Sequence, residues 1–257
     1  MADAPLSRGK FLRSLGSSVT GLALGKGLAA AQVLADRLGS IDQTVKAVPA
    51  VSDKNLMTAD PIIRRGPSTG NRIALTFDDG PTPGVTDRIL DELKQRHLLA
   101  TFFMIGNQVS AAPELARRVL AEGHEIGNHT LTHPKLNTLP DQKVDAEIRQ
   151  TQETIIKATG HRPVWFRPPY DAFRTTQAPI PRGQGLGIVS CDVQSRDWAQ
   201  PGEDQIIETI LSLTKAGSII TCHDMHQQTA NCIGKVLDKL VEQKFNLVTL
   251  STFLPPS

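Results

Sequence analysis

From Arg72 onward, short apolar runs alternate with segments of helical periodicity. This alternation predicts an α/β fold with a parallel sheet, because parallel strands need a crossover, usually a helix, to return the chain. Seven predicted strands favour a barrel slightly smaller than the eight-stranded kind. The predicted strands are 73–77, 100–105, 125–127, 164–166, 186–193, 218–222 and 246–250. The predicted helices are 86–97, 113–122, 141–158, 204–215 and 233–243.

One interval interrupts the alternation. Between Tyr170 and Leu186, the run Pro179-Ile-Pro-Arg-Gly-Gln-Gly185 carries two prolines and two glycines. Proline removes a backbone donor and clashes inside a helix. We therefore expect a long loop in this interval.

The first 70 residues lack a sustained period. Residues 1–31 contain a basic start, a weakly apolar stretch and small residues, and they resemble a degenerate twin-arginine export signal in which Gly9 replaces the second arginine. Lys26 interrupts the apolar stretch, and an amphipathic or disordered arm is the alternative. Residues 32–70 are predicted to be a linker.

Charge and cysteine content exclude several classes of protein. The 257 residues carry 28 Lys+Arg and 26 Asp+Glu, and residues 71–257 hold 19 basic against 21 acidic side chains. We therefore expect no nucleic-acid partner. No apolar run approaches the roughly 20 residues of a membrane span. Cys191, Cys222 and Cys232 show no even disulfide framework and are expected to be buried thiols, with a Cys191–Cys222 pair as the alternative.

Polar side chains recur directly after the predicted strands. In a parallel barrel the carboxyl ends of the strands meet at one face, where such folds carry their chemistry. Residues that are distant in the chain are therefore expected to converge. They are Asp78 and Asp79, His129 and His133, Arg167 and Tyr170, residues 192–198, and His223 and Asp224.

Two of these groups suggest a metal site. His129 and His133 stand four residues apart, a spacing that one helical turn brings onto one side. With one carboxylate they form a three-ligand site typical of catalytic zinc. Asp78 and Asp79 cannot both be buried unpaired, so one can bind metal while the other accepts a proton from water. The alternatives are an exposed histidine pair and a simple turn after Asp79.

Five ordered motifs carry a family resemblance. They are Thr76-Phe-Asp-Asp-Gly-Pro81, His129-Thr-Leu-Thr-His133, Arg167-Pro-Pro-Tyr170, Arg196-Asp-Trp198 and Cys222-His223-Asp224. Over roughly residues 71–254 the chain resembles the polysaccharide deacetylases, the NodB-homology domain of carbohydrate esterase family 4. The resemblance implies a catalytic domain at 71–257 with a distorted (β/α)7 barrel. It also implies metal-dependent removal of N-acetyl groups from N-acetylglucosamine polymers.

The same resemblance implies a role for each motif residue. Asp78 would be the general base, oriented by Arg167, and His223 the general acid that protonates the leaving amine. The Tyr170 backbone N–H would help stabilise the oxyanion. The implied metal ligands are Asp79, His129 and His133, with Zn2+ as the expected ion and Co2+ or Ni2+ as substitutes in vitro. The implied substrate-binding residues are Trp198, Pro168, Pro169 and Asp197.

Gln194 departs from the family pattern. In the family pattern, the position four residues before the tryptophan usually carries a carboxylate, and that carboxylate tunes the catalytic histidine. Here the position is Gln194. A neutral amide cannot stabilise the His223 cation by charge, so we expect the acid limb of the pH–rate profile at lower pH than in relatives. Asp192 or Asp224 would be the substitute partners.

Three further departures surround the expected site. Asp171 replaces the usual glycine after the Arg-Pro-Pro-Tyr run and restricts the backbone there. Cys191 stands where tryptophan is common, and Thr221 where a leucine usually lines the acetyl pocket. We expect the Cys191 change to be neutral, while the effect of Thr221 stays open.

Three functions are compatible with these residues. The leading one is a zinc-dependent de-N-acetylase of peptidoglycan or chitin-like oligomers. The alternatives are an O-acetyl xylan esterase and a metal-retaining carbohydrate-binding pseudoenzyme, the latter suggested by Gln194 and Asp171. The expected partner is a polysaccharide or oligosaccharide, and we expect an exported monomer.

Overall fold

The structure is a computed structural model that describes residues 61–254. The predicted export signal and the linker up to residue 60 lie outside the described residues. Among the helices of the described part, none has the length and apolar character that crossing a membrane requires. This part contains eight strands, eight α-helices and five short 3-10 helices.

The elements are numbered in chain order. The strands are β1 Arg72–Asp78, β2 Thr101–Met104, β3 Glu125–Asn128, β4 Trp165–Phe166, β5 Gly187–Ile188, β6 Val193–Gln194, β7 Ile219–His223 and β8 Asn246–Leu247. The α-helices are α1 Thr86–Gln95, α2 Gly106–Ala111, α3 Pro113–Ala121, α4 Asp141–Thr159, α5 Pro179–Gly183, α6 Glu203–Leu213, α7 Gln227–Glu242 and α8 Leu250–Phe253. The 3-10 helices are Thr69–Asn71, Leu136–Thr138, Pro169–Asp171, Thr175–Gln177 and Asp197–Ala199.

The strands form one curled parallel sheet with the order β5-β4-β3-β2-β1-β7-β6, and β8 pairs with the start of β1. The predicted distorted (β/α)7 barrel is confirmed. The central strand β1 pairs with β2 on one side and β7 on the other, and its last residue, Asp78, lies opposite His223. This register brings the ends of the two strands to the same level of the barrel.

Both faces of β1 are buried. Leu75 and Phe77 pack outward in the main hydrophobic cluster with the helices, whereas Ala74 packs inward. Because side chains alternate along a strand, Thr76 and Asp78 continue the inward face. Strands covered on both faces read as nearly continuous apolar runs, which is why β1 was readily predicted from the sequence.

A short segment, 62–66, lies against the opening between β5 and β6. The Ile63 N–H donates to the Ile188 carbonyl at 3.0 Å, and the Ser190 N–H donates to the Ile63 carbonyl at 2.8 Å. Ile62 is buried in a hydrophobic cluster with residues of β4 and β5. The segment therefore pairs with the sheet rather than running over the surface.

Arg65 ties the same segment to the other side of the opening. It pairs antiparallel with Ser218, its guanidinium donates to the Ala216 carbonyl at 2.8 Å, and it lies 3.2 Å from the Asp192 carboxylate. The predicted linker ending at residue 70 is therefore too long. The segment has no local periodicity because its partners lie more than a hundred residues away.

Two other predicted elements differ from the structure. The predicted strand 186–193 is two strands, β5 and β6, with the Ser190 N–H bonded to the inserted segment between them. The predicted loop between Tyr170 and Leu186 contains the short helix α5. Pro179 and Pro181 fit there because they occupy its first turn, where backbone N–H groups have no acceptor inside the helix.

Removing residues 61–66 is expected to destabilise the domain. A chain of residues 67–257 loses the burial of Ile62 and the hydrogen bonds of Ile63, so its free energy of unfolding should fall by about 3 kcal/mol relative to residues 61–257. Urea denaturation followed by circular dichroism measures the difference. Coincident unfolding curves would show that the segment contributes nothing to the barrel.

Candidate active site

A cavity of about 430 Å³ opens at the carboxyl ends of the strands. It is bounded by inward-facing side chains of the barrel and by the loops that follow the strands. The predicted convergence of the polar residues is thus present. The lining residues are Asp78, Asp79, His129, His133, Arg167, Pro168, Tyr170, Asp171, Ser190, Cys191, Gln194, Ser195, Arg196, Trp198, Thr221 and His223.

Asp79, His129 and His133 bring one ligand atom each to a common point, with all three atoms within 4.8 Å of one another. Asp79 Oδ1 lies 3.0 Å from His133 Nε2 and 3.4 Å from His129 Nε2. This oxygen is buried and makes no hydrogen bond. Three convergent donor atoms that do not satisfy one another fit a divalent cation bound by two imidazoles and a carboxylate.

The orientation of His129 supports this assignment. Its Nδ1 lies 2.8 Å from the Arg167 carbonyl oxygen. A carbonyl can only accept, so Nδ1 carries the proton and the Nε2 lone pair is left facing Asp79. Burial alone would raise the pKa of Asp79, but protonated imidazoles at His129 and His133 hold it well below its usual range. A bound cation would replace those protons on the two Nε2 atoms, so Asp79 is ionised with either partner.

A loop, rather than the predicted helical turn, brings His129 and His133 together. Thr130 and His133 both have left-handed backbones, with φ of 68° and 59°. The buried Asn128 amide oxygen accepts from the Thr130 N–H at 3.0 Å, and the Glu147 carboxylate accepts from two further N–H groups of the loop at 2.9 and 3.0 Å. Asn128 and Glu147 are supporting residues that the sequence analysis missed.

Arg167 holds Asp78 from below. Its Nη1 donates to Asp78 Oδ1 and to Thr76 Oγ1, each at 2.7 Å, and its guanidinium lies 4.1 Å from the centre of the Phe103 ring. Asp78 and Arg167 are both nearly fully buried. The ion pair therefore fixes the carboxylate, leaving Asp78 Oδ2 4.0 Å from His129 Nε2 and beside the cation site.

Ser190 links three parts of the site. Its N–H donates to Ile63, its carbonyl accepts from Arg167 Nη2 at 3.0 Å, and its hydroxyl donates to Asp171 Oδ1 at 2.7 Å. Ser190 is buried. Ser190 is therefore hydrogen-bonded to the segment 62–66, to Arg167 and to the loop that follows Arg167.

The loop after Arg167 has an unusual backbone. Tyr170 and Asp171 have φ of 59° and 53°, both in the left-handed region. The Tyr170 N–H donates to no acceptor among the described residues and its side chain is 63% exposed. Asp171 can occupy this conformation more readily than most residues, since its short polar side chain tolerates it. The bond from Ser190 then holds the turn in place of the usual glycine.

His223 has a charged partner, which corrects the expectation based on Gln194. Asp197 Oδ1 lies 2.6 Å from His223 Nδ1, and Asp197 Oδ2 accepts from the His223 N–H and from the Thr229 hydroxyl. Gln194 is exposed and makes no hydrogen bond among the described residues. The carboxylate that supports His223 is thus one residue before the tryptophan, and it belongs to a conspicuous motif whose role was misassigned.

Neither of the substitute partners named from the sequence contacts His223. Asp192 accepts from the Ile219 N–H, pairs with Arg65 and is not among the residues that line the cavity. Asp224 Oδ2 accepts from the Thr86 hydroxyl at 2.6 Å. Both carboxylates are structural.

The predicted substrate-binding residues divide into two pairs. Trp198, 58% exposed, and the buried Pro168 line the cavity. Asp197 is fully buried with its oxygens committed to His223 and Thr229, so the prediction that it contacts substrate is wrong. Pro169 is also buried and does not line the cavity, because it starts the 3-10 helix behind Tyr170.

Asp197 gives His223 a high proton affinity. Burial would lower the pKa of His223, but the hydrogen bond and charge of Asp197 raise it to about 9. A histidine whose folded-state pKa lies above its unfolded value stabilises the protein at low pH. This contribution is present below about pH 6.5 and is lost as the pH rises through about 9.

Replacing Asp197 by asparagine should lower the pKa of His223 by at least about one unit, because the amide retains a hydrogen-bond acceptor but loses the charge. Titration of the His223 imidazole by NMR measures this directly. The matched control is Asp192→Asn, which removes a carboxylate of the same region that does not touch His223. Equal titration curves for wild type and Asp197→Asn would contradict the pairing.

Gly80 allows the loop that carries Asp79 to pack on Asp224. A Cβ at Gly80 would lie 2.0 Å from Asp224 Oδ2, a carboxyl held by Thr86. Burial raises the pKa of Asp224 to about 7, so a neutral carboxyl lies against this loop below that pH. The absence of a side chain at Gly80 is therefore a packing requirement.

Gly80→Ala is expected to lower the free energy of unfolding by about 2 kcal/mol through this overlap. Gly183→Ala is the matched control, since a Cβ at Gly183 would meet nothing within 4 Å. Urea denaturation of both variants tests the difference. An equal effect at the two positions would rule out the contact with Asp224 as the cause.

Comparisons with known proteins agree with this geometry. Residues 65–186 match the family model described as polysaccharide deacetylase. The chain is 39% identical to a chitooligosaccharide deacetylase of Rhizobium leguminosarum bv. trifolii, over 71% of this chain and 92% of that protein. It is 38% identical to the peptidoglycan-N-acetylglucosamine deacetylase PgdA of Listeria monocytogenes, over 71% of this chain. The chain spans only 38% of the length of that relative.

A solved structure shows the same fold. The peptidoglycan N-acetylglucosamine deacetylase Bc1960 superimposes with a TM-score of 0.74 at 32% identity, covering 77% of this chain and 94% of that one. The fold, the motifs and the relative matched over nearly its full length agree. This chain belongs to the polysaccharide deacetylase family.

Proposed function

We propose that this protein hydrolyses the N-acetyl groups of N-acetylglucosamine-containing polysaccharide, using a divalent metal for which zinc is the expected ion. The observation that carries the proposal is that two groups able to transfer protons, a carboxylate and an imidazole, face each other at the ends of the paired strands β1 and β7. Asp78 and His223 are Cα partners in β1 and β7, and the convergent Asp79, His129 and His133 lie beside Asp78. A base, an acid and a cation site are the groups that amide hydrolysis requires.

The residues divide the reaction between them. Asp79, His129 and His133 would hold the cation, which would supply Lewis acidity toward water and the acetyl carbonyl. Asp78 accepts the proton of the attacking water, and Arg167 keeps its carboxylate turned toward the reaction centre. The Tyr170 N–H donates to the oxygen on which negative charge develops. These groups act before the carbon–nitrogen bond breaks.

His223 completes the reaction. An amine leaves poorly unless it is protonated, and the high pKa of His223 keeps the imidazole charged near neutral pH. It donates its Nε2 proton to the nitrogen while Asp197 stabilises the cation through Nδ1. The hydrogen bond to Asp197 also holds the ring in one orientation. The products are acetate and a free amine.

Two further parts of the proposal concern the substrate and the compartment. The relatives named above act on peptidoglycan or chitooligosaccharide, so a polymer or oligomer with acetamido groups is the proposed substrate. The export signal predicted at residues 1–31 agrees with a cell-wall polymer, which lies outside the cytoplasmic membrane. We include export in the proposal on these grounds.

Acetate release from N-acetylglucosamine oligomers tests the function. The full chain, reconstituted with zinc or cobalt, should release acetate, and Asp78→Asn should lower kcat by at least about 100-fold because the base is lost. Asp192→Asn is the matched control, and metal content and circular dichroism establish that each variant is loaded and folded.

The absence of acetate from a folded, metal-loaded protein would contradict the proposed substrate. Acetylated xylan and peptidoglycan would then be tested with the same pair of variants. Release from xylan alone would identify an esterase. Failure with every substrate would leave a carbohydrate-binding protein as the explanation.

A further inference from the structure

The floor of the cavity lies one layer of side chains below the two proton-transfer groups, Asp78 and His223. Inward-facing residues two apart on a strand form successive layers, so Thr76 and Thr221 lie one layer beneath Asp78 and His223, about 6.6 Å deeper. The register confirms that Thr76 and Thr221 are partners across β1 and β7. Thr221 is nearly buried, with 6% exposure, and lines the cavity.

The proposed reaction would direct the acyl group of a substrate toward this floor. A polysaccharide must lie across the mouth of the cavity, because the barrel core closes it below. The carbonyl carbon has to sit between Asp78 and His223, with the sugar nitrogen toward the open side. The remaining substituent on that carbon, the acyl chain, is then the part that points toward Thr221.

The floor is polar where an acetyl group would place a methyl. The Thr76 hydroxyl donates to the Ile220 carbonyl at 2.7 Å, so the Thr221 hydroxyl, 3.4 Å away, is the donor between the two threonines. Thr221 Oγ1 is therefore left as an acceptor, and the Cys191 thiol beside it is the other side chain within its reach. Gln194 lies opposite Thr221 in β6, lines the cavity and makes no hydrogen bond among the described residues.

Cys191 brings a thiol to the same cavity. It packs against the inner cluster of the barrel. Cys191, Gln194 and Thr221 all line this cavity, as does Asp171. These are the four residues that the sequence analysis identifies as unlike the family pattern, so the cavity is where a different substrate group would be recognised.

We propose that this floor binds a hydroxyl-bearing short N-acyl group, so that the protein also hydrolyses N-hydroxyacetyl amino sugars. The inference rests on the proposed function and extends it to a second acyl class. Water adds to the acyl carbonyl carbon, the carbon–nitrogen bond breaks, Asp78 takes the proton from water, and His223 delivers one to nitrogen. Hydroxyacetate and the free amine are the products. The substrate hydroxyl donates to Thr221 Oγ1, with the Gln194 amide beside it.

A matched pair of substrates isolates the hydroxyl. N-hydroxyacetyl and N-propionyl glucosamine tetramers differ by a hydroxyl in place of a methyl of similar size. In the full, zinc-loaded chain, kcat/KM for the hydroxyacetyl tetramer is expected to exceed that for the propionyl tetramer by at least about tenfold. A tenfold ratio is the effect expected from one additional hydrogen bond. A ratio below about twofold would overturn the proposal.

Matched variants assign the preference to Thr221. Thr221→Val keeps the shape and removes the hydroxyl, so the ratio should fall to about one, whereas Thr221→Ser should retain most of it. Thr154→Val makes the same chemical change on the outside of helix α4, away from the cavity, and should leave the ratio at the wild-type value. A ratio that Thr221→Val does not change would overturn the assignment.

Inhibition by the free products gives a second readout. Hydroxyacetate should inhibit acetate release from N-acetylglucosamine tetramers at a lower concentration than propionate, and Thr221→Val should remove that difference. The N-acetyl tetramer in the same assays separates the two proposals. Acetate release with a flat hydroxyacetyl-to-propionyl ratio overturns only the acyl preference, whereas no release of any acid overturns the proposed function.

Discussion

The buried guanidinium of Arg167 is the interaction on which the rest of the site depends. A buried charge is costly unless it is paired and hydrogen-bonded. Here the same contacts also fix the positions of the side chains around the cavity. Arg167 donates to Asp78, Thr76 and the Ser190 carbonyl, while its own carbonyl lies 2.8 Å from His129 Nδ1. The same residue therefore orients the proposed base, Asp78, and fixes the tautomer of a proposed metal ligand, His129.

Around Arg167 the site is built from pairs whose charges offset one another. Arg167 balances Asp78, the imidazoles of His129 and His133 surround Asp79, and Asp197 supports His223. The members of each pair follow different strands, and the parallel barrel brings those strand ends to one level. Charge pairing thus offsets the cost of placing these seven ionisable groups around one small cavity, while the fold determines their order.

The parts predicted from sequence are those with local signals. The apolar runs of β1 and β7 are visible because both faces of these strands are buried, and the residues after them must converge in any parallel barrel. The role of Asp197 was misread because its partner, His223, lies 26 residues away and nothing nearby distinguishes a carboxylate that faces inward from one that faces a substrate. Ser190 and the segment 62–66 were missed for a related reason. Their roles arise only from long-range hydrogen bonds, which leave no periodicity in the chain.

The pairing of His223 with Asp197 has a consequence for turnover. In the proposed reaction, a group that stays cationic near neutral pH would protonate the departing amine readily, but the other product would be a carboxylate that forms in the same cavity. The imidazole is neutral immediately after it gives up its proton, and it attracts the carboxylate again once it is recharged from solvent. Release of the acid is therefore favoured in the interval before reprotonation, so the strength of the Asp197 contact sets a compromise between cleavage of the bond and clearance of the cavity.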